Sequence, residues 1–255
     1  MISKETINAL AHRYQTSEFP NIVREYFQHL FLSELYKLPG SEKMLFKGGT
    51  ALRIIYGSSR FSEDLDFSLF NVPERSIKEF TENLFIDVLA KIGQAGAKVE
   101  LKEANPTSGG YFGIATFEIG EYPSVSVEIN ISSRDGRKVT PEADSIVSDL
   151  VPTYTILHLP KEEIVEEKIF LALPQRKKER DFYDLYFMLR KGMITLKQKR
   201  RLAEMRNEIL QWAGEKDFRG ELGTLLPSDQ QAIIADFKRA LTDELSRQIA
   251  DSEKL

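Results

Sequence analysis

The chain has 255 residues, 42% hydrophobic and 29% charged, with 35 basic against 39 acidic side chains and a net charge of −4. That is the composition of a soluble globular protein long enough for one large or two small cores, and the slightly acidic balance restricts any nucleic-acid contact to local basic patches. There is no cysteine, which excludes a disulfide framework, a thiolate zinc site and a cysteine nucleophile, and three scattered histidines (His12, His29, His158) make a histidine metal cluster unexpected. The opening residues MISKETINAL lack an apolar signal core and no run approaches a membrane span, so a cytoplasmic protein with no membrane partner is expected.

Residues 2–37 read as two helices separated near Pro20, the second carrying Ile22, Val23, Tyr26, Phe27, Leu30 and Phe31 at helical spacing. Leu38-Pro39-Gly40 breaks it. The stretch that organises the chain follows, from Met44 to Leu69: MLFKGGTALRIIYGSSRFSEDLDFSL. Met44-Leu45-Phe46 reads as a short strand leading into Lys47-Gly48-Gly49-Thr50 and a short helix that Gly57 closes. Glycine at a helix start lets backbone N–H groups approach a phosphate. A polar loop with Arg60 and Ser62 then leads to Asp64-Leu65-Asp66-Phe67, a strand whose two carboxylates lie on one face about 7 Å apart at Cα. Carboxylate oxygens in that arrangement suit Mg²⁺ held alongside substrate phosphates. Alone, Asp-x-Asp is also what an edge strand shows to water, and Gly-Gly is also a plain turn; together and in this order they are specific.

Pro73 opens a helix to about Gln94 with Ile77, Phe80, Leu84, Val88 and Leu89 as its apolar stripe. Strands are expected over Ala97–Glu103, Tyr111–Ile119 and Pro123–Ser132, the first two joined by a loop, Asn105 to Gly110, rather than a two-residue hairpin. In the third, Val125, Val127, Ile129 and Ile131 face one way, and Ser124, Ser126, Glu128 and Asn130 the other. Glu128 is an ordinary solvent-face residue on alternation alone. Arg134 to Asp149 reads as loop, Thr153 to Leu159 as a last strand, and Pro160 starts a helical second half.

In the helix Lys161–Leu173, Lys168 falls in the middle of the stripe formed by Ile164, Val165, Leu171 and Ala172. A lysine there must snorkel, pair with a carboxylate or reach a ligand. Phe182 to Leu189 is apolar nearly all round, which marks a buried helix and gives Asp181 and Asp184 need of partners, with Arg180 or Lys168 as options for Asp184. Arg176, Lys177 and Lys178 form a basic cluster, a solvated loop or a contact to triphosphate or RNA. Leu196–Trp212 reads as a helix, Phe218–Leu226 as a loop, and Ser228-Asp229-Gln230-Gln231 as a capping box opening a final helix.

KGGTALR followed by RFSEDLDF resembles the nucleotidyltransferase toxins of the AbiEii type, including the MenT-like toxins, within the polymerase-beta-like superfamily. The 14-residue spacer between Gly49 and Asp64 looks ordinary for that branch, and the Arg-Asp-x-x-Asp-Leu run ending at Leu185 resembles the family's closing motif. The resemblance implies an α/β (α+β) chain: a mixed-sheet nucleotidyltransferase core with N-terminal helices over residues 1–159, and a helical lobe packed on it over 160–255. It implies Asp64, Asp66 and Glu128 as metal ligands for Mg²⁺ (or Mn²⁺), with glutamate rather than aspartate at the third position. It also implies Lys47, Gly48, Gly49, Thr50, Arg60, Ser62 and Lys168 around a nucleoside triphosphate, and Asp181 as a residue tied to activity. A separate antitoxin protein, an abortive-infection role and a tRNA or other RNA acceptor come from the resemblance alone. Three rivals use the same residues: a metal-dependent nuclease, which has no need of a triphosphate cradle; a non-catalytic nucleotide- or protein-binding module; and a nucleotide-dependent protein kinase.

Overall fold

The computed structural model describes residues 1–134 and 138–253. The chain divides into two compact units, one made of Met1–Gly57 with Phe61–Leu159, the other of Ser58–Arg60 with Pro160–Leu255.

The first unit is built on a seven-stranded mixed sheet. Its strands are β1 (Met44–Lys47), β2 (Leu65–Leu69), β3 (Lys98–Thr107), β4 (Gly110–Glu118), β5 (Val125–Ser133), β6 (Glu142–Ile146) and β7 (Tyr154–His158), in the order β3-β4-β5-β2-β1-β7-β6. β1 runs antiparallel to β2 and parallel to β7, and β2 runs parallel to β5. Helices α1 (Lys4–Arg13) and α2 (Val23–Leu35) precede the sheet, α3 (Gly48–Ile54) joins β1 to β2, and α4 (Ile77–Gln94) joins β2 to β3. Alternation along the strands sends Leu65, Phe67, Val127, Ile129, Tyr111 and Phe117 into the core, where they meet Phe27, Phe31, Phe85 and Val88. Phe27 stacks on Phe117 with ring centroids 4.6 Å apart.

Two loop assignments in this unit are corrected. β3 runs on to Thr107 and β4 begins at Gly110, so Ser108-Gly109 is a two-residue hairpin, with Gly109 at φ +93. Pro106 reads as a breaker, but β3 is the edge of the sheet, where a missing N–H is tolerated. β6 is a strand inside the segment expected to be loop; residues 135–137 of that segment lie outside the described residues. Glu142–Ser145 is exposed and β6 is the other edge, so it has no buried face to mark it by alternation. The helix after Pro73 starts as a single 3₁₀ turn, Glu74–Ser76, before α4.

The second unit is helical. A continuous run comprises α5 (Lys161–Val165), a π-helical stretch Glu166–Ala172 and α6 (Leu173–Arg176); then come α7 (Glu179–Arg190), α8 (Leu196–Gly214), α9 (Arg219–Leu225), α10 (Ala232–Ala235) and α11 (Phe237–Glu253). The π stretch changes the stripe: Ile164, Val165, Ile169 and Leu173 are buried, while Leu171 is 51% exposed. Wider π turns shift the phase by about a residue, which moves Leu171 off the apolar face. Phe218–Leu226, expected as loop, contains α9. Ser228 opens a 3₁₀ turn capped by no side chain, and the capping box sits instead at Thr195, whose hydroxyl accepts from the Gln198 N–H at 3.3 Å. No described helix is long and apolar enough to cross a membrane.

Candidate active site

In the first unit, β1 delivers the chain into Gly48 and Gly49 at the start of α3. Gly48 has φ +85, and a Cβ built there would stand 2.1 Å from Asp66 Oδ2. Only glycine fits, because the Asp66 carboxylate lies directly against this backbone. Register explains the approach: Lys47 pairs with Asp66 across β1 and β2. Gly57, at φ +77, ends the helical segment by donating its N–H to the Arg53 carbonyl at 3.2 Å.

Asp66 projects from β2, while Asp64 sits just before the strand. Thr50 is fully buried, and its hydroxyl donates to the Asp64 carbonyl. Thr50 thus ties the approach to β2 onto α3 and fixes where Asp64 stands. Ser62 likewise uses its carbonyl to accept from Gln28 Nε2 at 3.0 Å. Lys47, 8% exposed, has extended backbone at the helix start. Glu128 is exposed on β5; it precedes Ile129, the partner of Leu65, as Asp64 precedes Leu65. Among the described residues Asp66 and Glu128 make no side-chain hydrogen bond or ion pair.

No described group of three or more His, Asp or Glu side chains is placed to hold a metal by itself. Mg²⁺ does not require one: it takes one or two carboxylates and fills its octahedron with phosphate oxygens and water. An Asp66 carboxylate pressed against a glycine start and uncommitted to any cation fits that role.

In the second unit the carboxylate at the centre is Asp184. It is fully buried and accepts from Arg60 Nε at 3.0 Å and Nη2 at 2.8 Å through Oδ1, and from Lys168 Nζ at 2.8 Å through Oδ2. Burial opposes its ionisation, but Arg60 and then Lys168 outweigh this and hold its pKa below the usual carboxylate value. Arg60 is itself 2% exposed, so its guanidinium is committed to Asp184. Of the two partners expected for Asp184, Lys168 is found and Arg180 is not; Arg180 pairs with Glu221 at 3.4 Å. The Arg60 contact, 124 residues away in sequence, had no local signal.

Asp181, also buried, accepts from Arg176 Nη2 at 2.5 Å and from the Lys178 backbone N–H at 3.2 Å. It therefore fixes the start of α7 and one member of the basic cluster, and the group on Lys168 is Asp184 instead. Lys177 lies 4.4 Å from the centre of the Trp212 ring.

A mixed sheet with a glycine helix start seated on a strand aspartate, followed by a helical unit in which a half-buried lysine pairs with a buried aspartate, defines a nucleotidyltransferase-fold chain. Solved structures share that fold. MenT4, a nucleotidyltransferase toxin from Mycobacterium tuberculosis H37Rv, is similar with a TM-score of 0.66 and 19% identity, the match covering all of this chain and 93% of that one. JHP933 from Helicobacter pylori is similar with a TM-score of 0.61 and 19% identity, covering 100% and 96%. No curated protein sequence matches the chain. Residues 30–253 match the family described as nucleotidyl transferase AbiEii toxin, type IV TA system. The chain belongs to that family. It is a nucleotidyltransferase toxin of a toxin–antitoxin system, which implies a nucleoside triphosphate substrate and an antitoxin partner.

Proposed function

We propose that this toxin transfers a nucleotidyl group from a nucleoside triphosphate to a hydroxyl of an RNA acceptor, tRNA in the first instance, with Mg²⁺ (or Mn²⁺) bound by Asp64, Asp66 and Glu128. The observation that carries the reading is the contact between Gly48 and the Asp66 carboxylate, which brings backbone N–H groups for phosphate beside a ligand for a divalent cation. A bound Mg²⁺ neutralises charge on the phosphates and polarises the α-phosphorus.

The chain's own residues do the rest. Gly48 and Gly49 present backbone to the triphosphate, and Thr50 holds Asp64 in place. Glu128 accepts the proton of the acceptor hydroxyl as its oxygen bonds to the α-phosphorus. The bond from that phosphorus to the bridging oxygen breaks, and pyrophosphate leaves. In the second unit, Lys168 is assigned to phosphate charge and Asp181 to activity on their motifs; the clamp on Lys168 by Asp184 supports the first assignment. Action in the cytoplasm and in abortive infection, restrained by a separate antitoxin protein, completes the reading.

The test is incubation of the purified chain with Mg²⁺, each α-labelled nucleoside triphosphate in turn, and total RNA, beside Asp64→Ala/Asp66→Ala. Label on tRNA with wild type alone is expected. RNA cleaved without nucleotide would hand the case to a nuclease, α-label on protein to nucleotidyl transfer onto a protein, and nucleotide bound without turnover to a binding module. A kinase transfers the γ-phosphoryl group and would show as label on protein only with γ-labelled nucleotide.

A further inference from the structure

The register of the sheet sets five side chains in one row on the face that carries Asp66. Lys47 is level with Asp66, Asp66 with Asn130, Asn130 with Phe112, and Phe112 with Asn105. Level residues on neighbouring strands share a face and stand about 4.8 Å apart, so Asn130 is one strand from Asp66 and Phe112 two, roughly 10 Å along the row. The other face of the same strands is core, with Phe67, Ile129, Ile131 and Tyr111 buried.

Phe112 does not belong to that core. It is half-buried, lies outside the hydrophobic cluster, and its ring touches no other described aromatic ring. Asn130 is half-buried too, and its carboxamide has no hydrogen-bond partner among the described residues. Neither side chain is committed within the fold: the ring lies outside the core cluster, and the half-exposed carboxamide is open to a partner from solution. Here they are consecutive, and the next residue in the row is the aspartate that abuts Gly48.

Resting on the nucleotidyltransferase reading, we propose that Asn130 and Phe112 form the nucleoside subsite for the donor triphosphate. In a nucleoside triphosphate the sugar lies between the phosphates and the base, the same order as Asp66, Asn130 and Phe112. Phe112 stacks on the base, a contact that tolerates all four bases because each has a π face. Asn130 hydrogen-bonds the sugar hydroxyls and so separates ribonucleotides from deoxyribonucleotides. Both are binding residues, and neither handles a proton of the reaction.

The experiment measures equilibrium binding of each of the four ribonucleoside triphosphates and their deoxy counterparts to the full chain with Mg²⁺, and pyrophosphate release with tRNA. The variants are Phe112→Leu, Phe112→Tyr, Asn130→Ala and wild type, each checked by thermal unfolding. Phe112→Leu is expected to raise Kd and KM for nucleotide about tenfold, the scale of a lost stacking contact. Phe112→Tyr restores both, which a purely structural role for the ring would not require, since leucine also fills space. Asn130→Ala is expected to compress the ribo/deoxy affinity ratio towards one. Wild-type nucleotide affinity in Phe112→Leu, or a shift confined to the KM for RNA, would overturn the proposal. Should wild type transfer nothing from any triphosphate, the broader reading fails; transfer with unmoved nucleotide KM in the variants sinks the subsite alone.

Discussion

Removing the Asp184 carboxylate should cost the second unit more than any other single polar change. Asp184 is fully buried and neutralises two cations, Arg60 at 2% and Lys168 at 12% side-chain exposure. Breaking a buried pair by removing one partner costs about 3–5 kcal/mol, because the other charge is left unpaired away from water. Two cations are stranded here, so Asp184→Ala should lie at the upper end of that range, a large part of the roughly 5–15 kcal/mol that holds a whole protein folded. Urea unfolding followed by Trp212 fluorescence reads this unit directly, since it is the chain's single tryptophan, lying under the Lys177 ammonium. Replacing the whole cluster with Arg60→Met, Lys168→Met and Asp184→Leu should return stability to near wild type, while nucleotide transfer stays absent. The pH profile has a definite sign. The folded pKa of Asp184 lies below the unfolded one, so its contribution is complete above about pH 4, the unfolded carboxylate value, and is lost only as pH falls through the folded pKa. Wild type and Asp184→Asn should therefore differ by a constant amount from pH 5 to 8 and converge in stronger acid. A midpoint for Asp184→Ala within about 0.5 kcal/mol of wild type, the range of an ordinary surface substitution, would refute the account of a buried clamp.

Three further outcomes follow from the first unit. Gly48→Ala should destabilise by about 1–3 kcal/mol through its positive φ and abolish transfer by pushing Asp66 aside; a variant with normal melting temperature and metal-dependent activity would contradict the contact. Thr50→Val removes the hydroxyl that holds the Asp64 carbonyl and should cost about 1–3 kcal/mol, with a raised Mg²⁺ requirement in the transfer assay; unaltered Mg²⁺ titration would show that Asp64 is placed by something else. His29 is buried against the Tyr154 hydroxyl at 2.8 Å, and burial, then the Arg53 charge, lower its pKa to about 4. The unfolded chain takes up this proton first, so the folded state loses roughly 3 kcal/mol as pH falls from about 6.5 to 4; in His29→Phe that part of the slope should vanish, and a slope unchanged from wild type would assign it elsewhere.

The parts of the fold legible in the sequence are those whose signal is local. The order strand, Gly-Gly-Thr, helix, Asp-x-Asp is legible because each step has a residue-level cause: a glycine where a Cβ would strike Asp66, a second glycine to end the helical turn, alternation to bury Leu65 and Phe67. The missed elements lack such a cause. β6 has four exposed residues and is a strand only because β7 pairs with it, and Pro106 is admitted because β3 has an unpaired edge. Leu171 leaves the stripe because the helix widens around it, which no 3.6-residue periodicity anticipates. The candidate site divides the same way. Residue types announce chemistry, so the carboxylates and the stripe lysine could be singled out in advance. Partnership is tertiary: whether Lys168 answers to Asp181 or Asp184, and whether Arg60 faces a ligand or a buried carboxylate, depends on contacts spanning 16 and 124 positions. With Arg60 at 2% and Lys168 at 12% side-chain exposure, Lys168 is the more open cation of that cluster, a difference that no residue type announces.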